Sequence, residues 1–310
     1  MSALICGSLA FDTIMVFPDR FKEHILPEKV HILNVSFMVP QMRREYGGCA
    51  GNIAYNLNLL GGDGCPMGTA GKDFGIYSNW MDKCGIDQKY IKTLSDEYTA
   101  QAFITTDLDD NQITAFHPGA MNCSHQNTVP VEAGISIAVI SPDGKDGMIQ
   151  HAQQCQDANI PFIFDPGQGL PMFNGQELLS FIEKATYVCV NDYESQLLQE
   201  RTELSIKQIA EQVNAIIVTR GGKGSIIHTQ TSSLEIPAVN VEDVQDPTGC
   251  GDAYRGGLIF GLMNNLDWEV TGRIAALIGA IKVAHNGTQN HQFSIDEFKD
   301  KFKQEYGYSY

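Results

Sequence analysis

Short apolar runs rich in β-branched residues alternate with longer amphipathic stretches through much of this 310-residue chain. A run of four or five such residues suits a strand buried on both faces, whereas the longer stretches have helical spacing. Repeated strand–helix–strand order favours a mostly parallel sheet flanked by helices, an α/β fold. The predicted strands are Ala3–Cys6, Ile137–Ile140, Phe162–Phe164, Tyr187–Val190 and Ala215–Thr219, and the predicted helices are Gly147–Asn159, Gln176–Lys184, Ser195–Glu200 and Ile206–Val213.

Two segments interrupt this alternation and predict a second, smaller sheet. Residues 13–45 hold short apolar stretches without helical spacing, and residues 98–118 have the pattern of a hairpin. The hairpin strands are Ala100–Thr106 and Gln112–Phe116, joined by a polar turn. We expect these segments to form a lid that excludes water from a ligand, with an ordinary surface meander as the alternative. The chain, 1–310, is expected to be one domain carrying this lid.

The charge of the chain argues against two classes of partner. It has 37 Asp and Glu residues against 21 Lys and Arg, which gives a formal net charge of −16 at pH 7. Such a surface repels nucleic-acid phosphates and anionic lipid headgroups, so we expect neither nucleic acid nor a membrane as a partner. The N-terminus lacks the basic start of a signal peptide, and no apolar stretch approaches the roughly 20 residues that span a bilayer. These features predict a cytoplasmic protein, either a monomer or a homodimer.

The strongest chemical signal is the segment Asp246-Pro-Thr-Gly-Cys-Gly-Asp-Ala-Tyr-Arg-Gly-Gly257. Gly249 and Gly251 allow the backbone to approach a ligand closely, and residues 253–263 fit a helix of small and apolar residues. A glycine-rich loop that opens a helix presents N–H groups and the positive end of the helix dipole, and both favour an anion. Asp252 lies at the helix start, where a carboxylate acts either as a helix cap or as a general base.

An anion cradle beside a carboxylate suits phosphoryl transfer, because catalysis of that reaction is mostly positioning and charge stabilisation. The backbone around Gly249, Cys250 and Gly251 would form an anion hole, and Asp252 would accept the proton of the attacking hydroxyl. The sequence contains no Walker A loop, since Gly221–Ser225 lacks the required spacing.

A second glycine pair opens a helix near the N-terminus, within Tyr46-Gly-Gly-Cys-Ala-Gly-Asn52. Gly47 and Gly48 again permit close approach of the backbone, and the Asn52 amide offers a donor and an acceptor to sugar hydroxyls. On its own this segment is a common loop-to-helix junction, for which a structural role is the simpler interpretation.

Together the two segments resemble the two signatures of the PfkB/ribokinase family of carbohydrate and nucleoside kinases, and the resemblance covers nearly the whole chain. It implies a ribokinase-like fold, ATP as the phosphoryl donor and Mg²⁺ bridging the ATP phosphates; some relatives also bind K⁺ beside the cradle. Residues 1–12 resemble the first strand of the family, with Asp12 where its sugar-binding aspartate falls. By this resemblance Asp252 is the base, and the ribose is bound by Asp12, Gly47, Gly48 and Asn52.

Three further segments resemble the nucleotide site of the family. Asn191-x-x-Glu194 is similar to its N-x-x-E motif, which implies that Glu194 acts on the metal indirectly, through the magnesium–phosphate group. Val218–Gly224 resembles the nucleotide-binding strand and loop, and Ala284–Thr288 resembles the loop near the adenine. The residues assigned to ATP are Asn191, Thr219, Gly221, Gly224, His285 and Asn286.

Two residues of the anion-hole segment depart from the family pattern. Cys250 replaces the usual Gly or Ala of the cradle and is small enough to be tolerated. Arg255 stands where members often have an apolar residue. We expect either an approach of its guanidinium to the phosphates, which we favour, or a solvated position on the helix.

The acceptor is suggested by the hairpin. Thr114–Met121 and the long insert before Gly47 resemble the adenosine kinase branch most closely. Phe103 and Phe116 lie on the two hairpin strands. An aromatic ring there could stack on a purine, which stabilises binding by about 1–3 kcal/mol per base. The alternative is that both rings only pack the lid against its surroundings. We therefore expect phosphorylation of adenosine at its 5′-hydroxyl to give AMP. The alternatives are a carbohydrate kinase acting on ribose, fructose or a related sugar, and a nucleoside-binding module without catalysis.

Overall fold

The computed structural model describes residues 2–25, 34–109 and 111–310, and its strands form two sheets. The strands are β1 Ser2–Cys6, β2 Ala10–Val16, β3 Gln41–Gly47, β4 Gly64–Gly71, β5 Tyr90–Leu94, β6 Ala100–Thr106, β7 Gln112–His117, β8 Ile135–Ile140, β9 Phe162–Phe164, β10 Tyr187–Asn191, β11 Ala215–Thr219, β12 Ser225–Thr229 and β13 Ser233–Ile236. The helices are α1 Phe21–His24, α2 Cys49–Leu59, α3 Gly75–Lys83, α4 Lys145–Asp157, α5 Gly175–Lys184, α6 Asp192–Thr202, α7 Ile206–Ala210, α8 Cys250–Met263, α9 Trp268–Val283 and α10 Ile295–Tyr306.

The larger sheet has nine strands in the order β13-β12-β11-β10-β9-β8-β1-β4-β5. The strands from β11 to β5 are parallel to their neighbours, and β12 and β13 continue the sheet antiparallel at one edge. Helices cover both faces: α2, α8 and α9 contribute to the core on one side, and α4, α5 and α6 contribute to the core on the other. The predicted α/β fold with a mostly parallel sheet is confirmed.

The five predicted strands occur within two residues of their predicted bounds, but the pattern does not predict β4. All eight residues of β4 are buried, and its sequence is GCPMGTAG. Glycine and proline are depleted in strands and mark turns, so this segment has the local signature of a loop. It forms a strand because it pairs with β1 and β5 inside the sheet.

The smaller sheet has four strands in the order β3-β2-β6-β7. β6 and β7 form the expected hairpin, and β2 joins β6 in parallel and β3 in antiparallel orientation. This sheet begins at Ala10 rather than near residue 13, so Asp12 lies on the smaller sheet and not on the first strand of the larger one. Met1, residues 26–33 of the expected lid segment and Asp110 of the hairpin turn lie outside the described residues.

Two helices of one layer bring the glycine-containing segments together. α2 follows the Gly47–Gly48 pair, α8 follows Gly249, and α2 packs against α8. Ile53 of α2 and Leu258 of α8 are both fully buried in the same core. Within the described ranges, no helix is both long and apolar enough to cross a bilayer.

Candidate active site

The N-terminal turns of α2 and α8 meet through a side-chain hydrogen bond. Asn52 Nδ2 donates to Asp252 Oδ2 at 2.8 Å, between residues 200 positions apart in the chain. Burial raises the pKa of Asp252 to about 6, while the hydrogen bond from Asn52 favours the ionised form and opposes that rise. The site therefore holds an oriented carboxylate that is ionised at neutral pH and has a pKa close to that pH, as a general base requires.

A second residue fixes the orientation of the Asn52 amide. Gln289 Nε2 donates to Asn52 Oδ1 at 2.9 Å, which leaves the Asn52 NH₂ group directed at Asp252. Trp80 Nε1 in turn donates to Gln289 Oε1 at 2.9 Å. Gln289 is almost completely buried, so these bonds are shielded from water.

Tyr77 extends this network to the first glycine pair. Its hydroxyl accepts from Gln289 Nε2 at 2.7 Å and donates to the Gly47 carbonyl at 2.9 Å. Sequence reasoning missed Tyr77, Trp80 and Gln289. Gln289 directly follows the segment assigned to the adenine loop, and this position could have marked it as a candidate site residue. Nothing in the local sequence of α3 marks Tyr77 or Trp80 as a site residue.

The predicted anion hole lies at the start of α8. Gly249 is the N-cap, with φ of 77°, and Gly251 is exposed. The Cys250 N–H already donates to the Pro247 carbonyl at 3.2 Å, and the first N–H groups of any helix lack acceptors within it. The N–H groups of Gly251 and Asp252 are therefore the donors available to an anion, and they lie at the positive end of the helix dipole.

The loop before the anion hole is held by Asp246. Its carboxylate accepts from the Thr248 N–H at 2.8 Å and from the Gly287 N–H at 3.0 Å. Burial alone would raise the pKa of Asp246, but these hydrogen bonds lower it below its ordinary value. The Asp246 carbonyl oxygen accepts from Lys282 Nζ at 2.6 Å. Asp246 is therefore a structural residue that shapes the loop.

Asp12 and the first glycine pair lie against each other where β2 meets β3. A Cβ on Gly47 would lie 2.6 Å from Asp12 Oδ2, and a Cβ on Gly48 would lie 2.5 Å from the Ser8 carbonyl. Burial raises the pKa of Asp12 to about 6, and the charge of Glu45 adds to the rise. Gly47 thus leaves room for the carboxylate that is expected to bind the ribose, and Gly48 leaves room for the backbone at Ser8.

The two hairpin phenylalanines lie on opposite faces of the smaller sheet. Phe116 is paired with Ala102, which is paired with Asp12, so Phe116 shares the face of Asp12. Phe103 is the next residue along β6 and points to the other face. The structure therefore does not bring both rings to one purine, and of the two only Phe116 stands on the Asp12 side.

The residues assigned to ATP occupy two places. Asn191 and Thr219 are side by side at the carboxyl ends of β10 and β11. Gly221 and Gly224 follow in the next loop, both with positive φ. His285 and Asn286 are exposed after α9, with His285 Nδ1 2.9 Å from the Ile281 carbonyl and Asn286 Nδ2 3.4 Å from Gln245 Oε1.

The Asn191-x-x-Glu194 motif is also a capping box of α6. Asn191 Oδ1 accepts from the Glu194 N–H at 2.7 Å, and Glu194 Oε2 accepts from the Asn191 N–H at 2.9 Å. Burial raises the pKa of Glu194. Among the described residues, no three acidic, histidine or cysteine side chains form a metal cluster. Both carboxylate oxygens of Glu194 already accept from Asn191, which fits an indirect role towards a magnesium–phosphate group rather than direct ligation.

Arg255 is neither solvated nor directed at a phosphate. It is buried, and its Nε and Nη2 atoms donate to the two carboxylate oxygens of Asp165, each at 2.6 Å. Its Nη1 atom donates to the Gly251 carbonyl at 3.1 Å. The favoured expectation for this residue is therefore wrong, because the guanidinium is occupied by a buried ion pair and by the first turn of α8.

Comparison with known proteins places the chain in a family. The profile of the pfkB family carbohydrate kinases matches residues 9–294. The chain belongs to this family. It is 31% identical over 278 residues to a nucleoside kinase of Methanocaldococcus jannaschii, which covers 89% of this chain and 91% of the relative.

Solved structures of nucleoside and adenosine kinases superpose on 97–99% of the chain. The nucleoside kinase of Burkholderia thailandensis in complex with inosine is 52% identical, with a TM-score of 0.90 and coverage of 99% of both chains. Its complex with ADP and inosine is 53% identical, with a TM-score of 0.87 and coverage of 99% and 97%. The adenosine kinase of Sinorhizobium meliloti, at 19% identity and a TM-score of 0.79 over 97% and 98% of the chains, supports the fold alone. The predicted family, fold and class of enzyme, an ATP-dependent kinase, are confirmed.

Proposed function

We propose that the protein is a nucleoside kinase that transfers the γ-phosphoryl group of ATP to a 5′-hydroxyl, with adenosine as the preferred acceptor. The hydrogen bond between Asn52 and Asp252 carries the proposal, because it joins the helix expected to bind the sugar to the helix expected to bind the phosphate. The relatives named nucleoside kinases, one of them bound to inosine, support a nucleoside as the acceptor.

The proposed reaction uses Asp252 as the base. Its carboxylate accepts the proton of the 5′-hydroxyl while that oxygen attacks the γ-phosphorus, and the bond from phosphorus to the departing ADP oxygen breaks. The N–H groups of Gly251 and Asp252 stabilise the negative charge on the transferred group. Asp12 and Asn52, with the backbone of Gly47 and Gly48, hold the ribose hydroxyls.

The nucleotide and its metal complete the proposed site. Asn191, Thr219, Gly221 and Gly224 would contact the phosphates, and His285 and Asn286 the adenine end. Glu194 would act indirectly, through a magnesium–phosphate group, and the ion would supply positive charge to neutralise the ATP phosphates. Dependence on Mg²⁺ is tested by adding EDTA to the assay, and a contribution of K⁺ by replacing K⁺ with Na⁺.

The purine ring of the acceptor nucleoside is assigned to the face of the smaller sheet that carries Asp12. Phe116 stands on that face and is exposed, so its ring is accessible to a purine. We propose that the smaller sheet closes over the nucleoside as a lid. A ribose or fructose kinase is the second candidate, which the name of the family favours.

A coupled assay of ADP release tests the function, with adenosine, inosine, ribose and fructose as acceptors. Turnover of adenosine above the other acceptors supports the proposal. Turnover of ribose or fructose alone supports a sugar kinase, and binding without turnover supports a nucleoside-binding module.

The role of Asp252 is tested by Asp252→Asn, for which we expect kcat to fall by about 10²–10⁴-fold while nucleoside binding is kept. Asp146→Asn is the matched control, because Asp146 is an exposed carboxylate in the first turn of α4. A normal kcat for Asp252→Asn would show that Asp252 is only a helix cap.

A further inference from the structure

A fully buried lysine lies next to the proposed anion hole. Lys282 is 0% exposed and occupies the last turn of α9. Lysine is almost never fully buried unless its charge is paired, so a burial of this kind calls for a specific partner.

The ammonium group of Lys282 bridges two loops of the site. It donates to the Asp246 carbonyl at 2.6 Å and to the His285 carbonyl at 3.3 Å. Asp246 begins the loop that leads to Gly249, and His285 begins the segment assigned to the adenine. Carbonyl oxygens only accept, so both contacts require N–H protons on Lys282.

The backbone around Lys282 strengthens this bridge. The Val283 carbonyl, at the end of α9, accepts from the N–H groups of Gln245 at 2.9 Å and Asp246 at 3.1 Å. A cation in the last turn of a helix is stabilised by the negative end of the helix dipole. The loop before the anion hole is therefore fastened to α9 by its backbone and by one buried charge.

The surroundings of Lys282 are electrostatically negative. Burial lowers the pKa of Lys282, and the nearby charges of Asp246 and Asp252 act in the opposite direction and favour the protonated form. Cys250 is also close enough for its thiol to contact the Asp246 carbonyl, with a Sγ–O distance of 3.8 Å. The ammonium thus lies at the start of the loop that leads to the Gly251 and Asp252 N–H groups.

We propose that Lys282 is a positioning residue that provides a fixed, buried positive charge to the loop from Asp246 to Gly249, which leads to the anion hole. It holds the Asp246 carbonyl and so keeps the first turn of α8 open towards the transferred phosphoryl group. This inference rests on the proposed function, because it assumes that the turn receives a phosphoryl group. A preorganised charge of this kind stabilises the transition state more than the bound substrates, so it should affect kcat rather than KM.

The first test is Lys282→Gln, which removes the charge and keeps an N–H donor for the Asp246 carbonyl. We expect kcat to fall by about 10–10²-fold with the KM for the nucleoside unchanged. The control is Lys299→Gln, because Lys299 is exposed on α10. A wild-type kcat for Lys282→Gln, or a loss that falls on KM alone, would overturn the proposal.

The second test is chemical rescue of Lys282→Ala, which opens a space for a small cation. Methylammonium should restore a large part of the lost kcat, whereas tetramethylammonium at the same ionic strength should not, since it is larger and has no N–H group to donate a hydrogen bond. Absence of rescue in a folded variant would mean that the lysine only fills space, and would overturn the proposal.

Stability is measured in the same titration. If Lys282→Ala is unstable, methylammonium should raise its Tm and its kcat over the same concentration range, and a rise in Tm without activity would contradict the inference. The wild-type assay separates the two proposals. If the wild-type protein does not turn over nucleosides, the proposed function is wrong. If the wild-type protein is active and the Lys282 variants are equally active, only the role of Lys282 is wrong.

Discussion

The side-chain amide of Asn52 donates a hydrogen bond to the carboxylate of Asp252 across 2.8 Å. Gln289 fixes that amide from behind by donating to its oxygen at 2.9 Å. The base of the proposed reaction is thus oriented by a residue of α2, which in turn is oriented by a residue just after the predicted adenine loop. Asn52, Asp252 and Gln289 therefore form one hydrogen-bonded unit that joins α2, α8 and the segment after α9.

Activity should decline in mild acid. Burial raises the pKa of Asp252 and of Asp12 to about 6, and both must be ionised, one to accept a proton and the other to accept hydrogen bonds. We expect kcat/KM to be constant above neutrality and to fall as the pH drops through about 6, because protonation removes both functions. A pH profile of kcat/KM measures this, and an acid limb near the ordinary pKa of aspartate would contradict it.

Asn52→Ala should move that acid limb to higher pH. The hydrogen bond from Asn52 stabilises the ionised carboxylate, so its loss raises the pKa of Asp252 further. Asn264→Ala is the control, since Asn264 is exposed and bonds only its own helix through the Phe260 carbonyl. An unchanged acid limb in Asn52→Ala would show that the acid limb reports the titration of a group other than Asp252.

Gly47→Ala should impair nucleoside use. The added methyl group would lie 2.6 Å from Asp12 Oδ2 and would displace that carboxylate. A displacement of about 1 Å at a binding group lowers kcat/KM by about 10²-fold. Gly75→Ala, at the first residue of α3, is the matched control because a Cβ there meets nothing within 4 Å. Nucleoside kinetics measure the effect, and equal kinetics for the two variants would remove Asp12 from the site.

Phe116→Ala and Phe103→Ala should differ. Phe116 stands on the Asp12 face of the smaller sheet and Phe103 on the other, so only Phe116→Ala removes a stacking partner of the purine. We expect the KM for adenosine to rise roughly tenfold or more for Phe116→Ala and to stay unchanged for Phe103→Ala. The two variants are each other's control, since both rings are exposed in part. Equal effects would place the purine elsewhere.

Arg255→Met should destabilise the fold by about 3–5 kcal/mol, because it leaves the Asp165 carboxylate buried without its partner. The double variant Arg255→Met/Asp165→Leu should recover much of that loss, since no unpaired charge remains. Denaturant unfolding measures both. Arg20→Met, which breaks an exposed pair with Asp109, should change stability little. A double variant no more stable than Arg255→Met would show that the charge balance is not the cause.

Local pattern was sufficient for much of the fold. The five predicted strands are buried apolar runs of β-branched residues, so their own sequence predicts them. Gly47 and Gly249, each just before the start of a helix, indicate close approach of the backbone to another group. β4 shows the limit of this reasoning, because its strand pairing overrides the turn preference of its glycines and proline.

The sequence by itself determined the α/β class and the two glycine-opened helices, and it proposed Asp12 and Asp252 as the carboxylates of the site. Only the tertiary structure decided which side chains meet: Asn52 with Asp252, Arg255 with Asp165, and Lys282 with the Asp246 carbonyl. The physical reason is that strand and helix signals depend on neighbours in sequence, whereas the partner of a buried polar group is chosen by packing between elements that are distant in the chain.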